Sequence, residues 1–236
     1  MTVLAAVALT LLSTRALSSD TTGAIDWAQR AGSASPMRPA PGRLLVASQQ
    51  LIDPNFGRTV ILLLACDASG VLGLVINRST DVRLSAALPQ LKEARDRDDV
   101  IFLGGPVARN RMMALIRSPR PLKSSLHVFE DVYASGSLDA LRRGLKRATK
   151  HRVVRAYAGS AGWAPDQLDN EIARGDWYVT ASDTRFVFDT DPAEMWNTLI
   201  QRVSGEWARL PSPAPRPVIS QIEPNGRFLN SQSLSR

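Results

Sequence analysis

With 236 residues, 44% of them hydrophobic and 22% charged, the chain has the makeup of a globular protein with one sizeable core, and is neither a disordered chain nor a multi-span membrane protein. Lys and Arg outnumber Asp and Glu by 29 to 22, a formal charge of +7 that favours anionic partners in general without naming one. One cysteine, Cys66, and two histidines, His127 and His151, exclude an intrachain disulfide, a cysteine-based zinc site and a His-rich centre, so no metal or cofactor is expected.

The first apolar run, Val3 to Leu12, is too short to cross a bilayer. It has the character of a signal-peptide core, with Thr14-Arg15-Ala16 as a small-residue cleavage site, although no Lys or Arg precedes it. Two readings stand: an exported protein that loses Met1 to about Ala16, or an unstructured extension or misassigned start. Pro36, Pro39 and Pro41 make the rest of segment 1–41 a linker, and Pro211, Pro213, Pro215 and Pro217 make segment 206–236 an extended tail. Residues 42–205 between them form one domain with no integral membrane span.

Arg43–Ser48 and Thr59–Cys66 are short Val, Leu and Ile runs of the kind that buried strands require. Asp67-Ala68-Ser69-Gly70 turns the second into Val71–Asn77, an antiparallel hairpin. Val82–Leu88 and Leu91–Arg95 are expected as a helix broken near Pro89, Val100–Leu103 and Met112–Ile116 as strands, and Leu126–Tyr133 as holding a short strand. Leu138, Leu141, Leu145 and Ala148 recur at helical spacing behind a capping Ser137, which predicts an amphipathic helix to Lys150. Val153–Ala158 is a strand, Pro165–Arg174 a helix ended by Gly175, Trp177–Thr180 and Arg185–Phe188 strands, and Asp191-Pro192 opens a last helix. The class is α+β, with a mixed, mainly antiparallel sheet flanked by helices.

Four polar or glycine-rich junctions interrupt these elements. Asp53-Pro54-Asn55-Phe56-Gly57-Arg58 is turn chemistry, and it is also a place where Asn55 and Arg58 can hold an anionic or amide-bearing ligand. Asn77-Arg78 ends the hairpin. Gly104-Gly105 can expose backbone N–H groups to an anion, and the stretch from Gly159 through Gly162-Trp163 to Gln167 reads as a strand, a small-residue turn and a helix N-terminus. Ser160 lacks the Gly-x-Ser-x-Gly spacing of a nucleophile elbow.

In order and spacing these junctions resemble the AlgH/YqgE family of bacterial and plastid proteins. The matching stretches are DPNFGRTVILLL from Asp53, GLVINR from Gly73, LGGPV from Leu103, YAG from Tyr157, GWAPDQLDNEI from Gly162, then WYV, FVFD and the Trp196 helix. The resemblance implies a bent sheet closing into a pseudo-barrel, no established enzymatic activity, no recognised cofactor, a cytoplasmic location and a link to transcriptional control. Four positions depart from the family pattern. Cys66 stands where many members carry His, Ser79 replaces a Pro, Ile116 lies near where a His is common, and Asp166 replaces the Gly before Gln167.

The leading functional expectation is a non-enzymatic binding or regulatory protein. Its cleft comprises Asp53, Asn55, Arg58, Asn77, Arg78, Gly104, Gly105, Gly162, Trp163 and Gln167, and holds an unknown protein or a small anionic ligand. One alternative is a hydrolase or transferase on an acidic metabolite with Asp53 or Glu171 as base; no catalytic set is recognisable for it. The other is nucleic-acid binding through Arg142, Arg143, Lys146, Arg147 and Lys150, which crowd one helix opposite its leucines.

Overall fold

Ten strands and five α-helices form within residues 37–147 and 153–207, the parts of the chain that the computed structural model describes. The apolar N-terminal run, its linker as far as Pro36, Lys150, His151 and the proline-rich tail from Ala208 on lie outside the described residues. The strands are β1 (Arg43–Ala47), β2 (Val60–Asp67), β3 (Gly70–Val75), β4 (Ser79–Arg83), β5 (Val100–Leu103), β6 (Val107–Arg117), β7 (Leu126–Phe129), β8 (Val132–Ser135), β9 (Val154–Trp163) and β10 (Trp177–Ala181). The helices are α1 (Leu84–Ala87), α2 (Leu138–Arg147), α3 (Gln167–Arg174), α4 (Thr184–Asp189) and α5 (Pro192–Trp207). No helix among the described residues is long and apolar enough to cross a membrane.

The strands form one sheet in the order β10-β1-β2-β3-β9-β6-β8-β7, with β5 also beside β9 and β4 beside β5. Only the β5–β9 pairing is parallel; every other ladder is antiparallel. The ends of the path, β10 and β7, share no ladder, so the sheet is open where a closed pseudo-barrel was expected. It is nonetheless curled, because β7 folds back over the start of β1: a Cβ on Gly42 would lie 2.6 Å from Phe129 Cβ.

Strand alternation divides the core between the two faces. On β9, Val154 and Ala156 join Ala114 and Ile116 of β6 under Leu141 and Leu145 of α2, while Tyr157, Ala161 and Trp163 point to the larger core with β1, β2 and α5. Arg155 shares the second face. It is buried, lies with its guanidinium 5.0 Å from the Phe102 ring, and donates to the carbonyls of Phe188 at 3.0 Å and Thr190 at 3.2 Å, where it caps the end of α4.

Local chemistry sets the helix starts. Ser137 Oγ accepts from Ala140 N at 3.4 Å, Asp183 caps α4 through Phe186 N at 2.8 Å, and Asp191 accepts from Ala193 N at 3.0 Å one residue before Pro192. That Asp183 cap explains why Arg185–Phe188 is helix and not the expected strand. Val82–Leu88 is likewise not a helix throughout: Val82 and Arg83 end β4, and only Leu84–Ala87 makes one helical turn, with a 3-10 turn at Lys92–Ala94. The largest departure is at Gly159–Gly162, where the chain continues as β9 and makes no turn. Gly159 takes φ 76°, and a Cβ there would sit 2.5 Å from Gly105 O. The glycines bend a strand through a crowded crossing.

Candidate functional site

The loop Asp53–Arg58 is built by its own first residue. Asp53 Oδ1 accepts from Asn55 N and Phe56 N, each at 2.8 Å, while Gly57 N donates to Asp53 O at 2.7 Å. Asn77 clamps the loop to the sheet from 19 residues away, accepting from Val60 N at 2.9 Å and donating to Arg58 O at 3.0 Å. Both Asp53 and Asn77 are thus committed to backbone.

Two guanidiniums from other segments reach this loop, and a third belongs to it. Arg78 donates to Gly57 O at 3.2 Å and Pro54 O at 3.4 Å, and Arg109 donates to Asn55 Oδ1 at 3.4 Å. Arg58, held at φ 57°, lies 4.7 Å over the Trp196 ring and donates to Asn197 Oδ1 at 3.3 Å on α5. Their hydrogen-bond partners are neutral, and among the described residues none of the three is in an ion pair with a carboxylate. Partial burial pulls Arg78 below the usual guanidinium range and nearby Asp53 pushes it back up; Arg remains charged at neutral pH.

Trp163 and Gln167 form a second cluster, joined to the loop through Phe56. The Phe56 ring is 6.1 Å from Trp163 and 5.8 Å from Trp177 between centroids. Both indoles donate to Glu171 Oε2 at 2.8 Å, and Gln167 Nε2 donates to Glu171 Oε1 at 2.9 Å. Glu171 is a structural acceptor here, and with Asp53 tied into its loop neither carboxylate is placed as a free general base.

Gly104 and Gly105 serve the sheet. Gly104 N donates to Ala158 O and its own carbonyl accepts from Val75 N, both at 2.8 Å, at the point where the edge of β9 changes partner from β5 to β3. A Cβ on Gly104 would lie 2.4 Å from Gly159 O, and one on Gly105 2.3 Å from Ser160 O. This is backbone packed on backbone, a requirement of the fold at both glycines. Gly162, by contrast, is exposed, and its nearest neighbour to a new Cβ is Val71 O at 3.9 Å.

The basic helix carries less free charge than its sequence suggests. Arg142 pairs with Asp139 at 2.6 Å and Glu93 at 3.7 Å, and Lys146 with Glu93 at 3.4 Å. Arg143 donates to Lys123 O at 3.3 Å, and Arg147 is exposed. Cys66 opens on a cavity of 490 Å³ shared with Asp67, Asp166 and Asp169. Burial, then Asp67 and Asp169, push its thiol up from the usual value, the opposite of what a reactive thiolate needs.

Arg109 is the residue that sequence reading missed. It follows Ala108, which has φ 48°, inside a bulge: Val107 pairs with Ser160 and Met112 with Ala158, so four residues of β6 face one of β9. Nothing local in the sequence ties it to Asn55.

The chain matches the family described as AlgH-like (DUF179) over residues 44–208. It is 36% identical over 170 residues to a UPF0301 protein of Streptomyces avermitilis, covering 71% of this chain and 88% of that one. It is also 36% identical over 174 residues to a UPF0301 protein of Myxococcus xanthus, covering 72% and 94%. The fold is similar to the solution structure of the AlgH protein from Pseudomonas aeruginosa, with a TM-score of 0.57 and 27% identity over 75% of this chain and 98% of that one. A crystal structure of protein DIP2367 from Corynebacterium diphtheriae gives a TM-score of 0.61 at 23% identity over 75% and 90%. With its fold, its motifs and its relatives in agreement, the chain belongs to the AlgH-like family.

Proposed function

We propose that the protein is a non-enzymatic binding protein with a regulatory role, and that it recognises an anionic ligand or partner through the Asp53–Arg58 loop and the guanidiniums of Arg58, Arg78 and Arg109. One observation carries this reading: Arg78 and Arg109 reach the Asp53–Arg58 loop from other segments and are held there by neutral oxygens, Arg58 of the loop itself is held by Asn197, and none of the three is paired to a carboxylate among the described residues. An arriving carboxylate or phosphate would meet forks already placed for it.

The test is thermal-shift screening of the full chain against phosphate, citrate and dicarboxylates, with pull-downs in parallel, using wild type and an Arg58→Gln, Arg109→Gln double variant. Stabilisation or capture that disappears in the double variant, with its far-UV dichroism unchanged, supports the proposal. Equal responses from both proteins sink it. The basic helix is the weaker anion site, because Glu93 and Asp139 already neutralise Arg142 and Lys146.

A further inference from the structure

We infer that the partner of this site is an extended, acidic protein segment with apolar side chains, docking along the loop and the first half of β6. The inference rests on the anion-binding reading above and adds the class of partner. The bulge leaves Ala108–Arg111 with no ladder partner on β9, and β8 begins to pair with β6 only at Ala114. Val107 through Arg111 are all exposed, and among the described residues no strand pairs with the β8-side edge of β6 before Ala114, an edge of the kind that added strands use.

Arg109 and Arg111 are both exposed on that half-strand, and Arg109 also touches the loop at Asn55. Apolar side chains stand exposed in the same two segments. Ile52, the residue before Asp53, is 97% exposed, and Val107 is 49% exposed two residues before Arg109. A large aliphatic side chain fully in water, one residue before the loop that Arg78 and Arg109 contact, matches a partner that alternates carboxylates with apolar residues, and such a segment also suits the net charge of +7. A nucleic acid would use the cations but leave Ile52 and Val107 without apolar contacts. A small anion would use neither the apolar residues nor the free strand edge.

Fluorescence anisotropy on the full chain tests this with labelled octapeptides alternating glutamate with valine, leucine or phenylalanine, and with a labelled thymidine oligonucleotide. Phosphate and citrate are followed by thermal shift. The expected result is peptide binding that weakens about ten-fold or more in Arg109→Glu/Arg111→Glu and in Ile52→Asp, the loss expected for a contact at the centre of an interface. Both variants must keep the wild-type melting temperature within a few degrees; Arg109→Gln and Ile52→Ser replace any that do not. If citrate or phosphate binds in an Arg58- and Arg109-dependent way but no peptide does, the inference fails and the anion-binding reading survives. Tighter binding of the oligonucleotide than of any peptide also overturns it. Binding of none of these probes removes both.

Discussion

Trp163 and Trp177 donate their indole N–H groups to the same carboxylate oxygen, Glu171 Oε2, each at 2.8 Å. One side chain on α3 therefore fixes the end of β9 and the start of β10 together. Glu171→Leu should destabilise the domain by roughly 3 kcal/mol, since two buried indole donors lose their acceptor, and Glu171→Gln by less because one oxygen remains. Urea unfolding followed by tryptophan fluorescence measures both; equal, negligible effects would show that the shared acceptor is not needed.

The glycines separate by what surrounds them. At Gly104 an added Cβ meets backbone oxygen at 2.4 Å, so Gly104→Ala should cost more than about 3 kcal/mol or prevent folding. Gly175, at φ 85° with nothing within 4 Å of a new Cβ, should cost only about 1–2 kcal/mol as alanine, from the left-handed backbone alone. Midpoints in urea at unchanged slope give the comparison.

Asp166 occupies the left-handed region at φ 62° and makes no side-chain cap to α3. A glycine at this position would meet the same geometry without strain. Asp166→Gly should therefore stabilise the domain by about 0.5 kcal/mol, the relief of backbone strain exceeding the entropy that glycine loses. A lower melting temperature would contradict this.

Tyr157 is buried, and burial pushes its phenol up to about 12, with Arg155 acting in the opposite sense. The unfolded chain ionises near the ordinary value of 10.0 and the native one later, so the native state holds the proton more tightly. Stability tied to this group is complete below about pH 10 and is lost as pH rises toward 12. Tyr157→Phe should flatten that alkaline limb in denaturation curves taken across the range. An unchanged limb would assign it to other groups.

Much of the fold was legible because apolar runs and caps are local signals. β1, β2 and β5 fall where Val, Leu and Ile cluster, and Ser137 and Asp191 mark two helix starts. What misled is equally physical. Gly159-Ser160-Ala161-Gly162 has turn composition, yet Gly159 is needed there because Gly105 O lies against it, a contact 54 residues away in sequence. The FVFD segment has strand composition, but Asp183 caps it into a helix. Of the candidate cleft, Asn55 and Arg58 lie in one loop that Arg78 contacts, and Gly104 and Gly105 lie at the sheet crossing. Arg109 reaches Asn55 only through the curl of the sheet.

The place of β9 has a consequence for how the chain acquires its structure. Its three neighbours, β3, β5 and β6, all precede it in sequence, and β10, which completes the pairing of β1, comes later still. A nascent chain made only as far as Arg147 holds strands whose central partner has not yet been synthesised. Productive assembly must wait for the segment through Ala181, so the domain should form late and cooperatively, with the earlier strand edges open to chaperones until then.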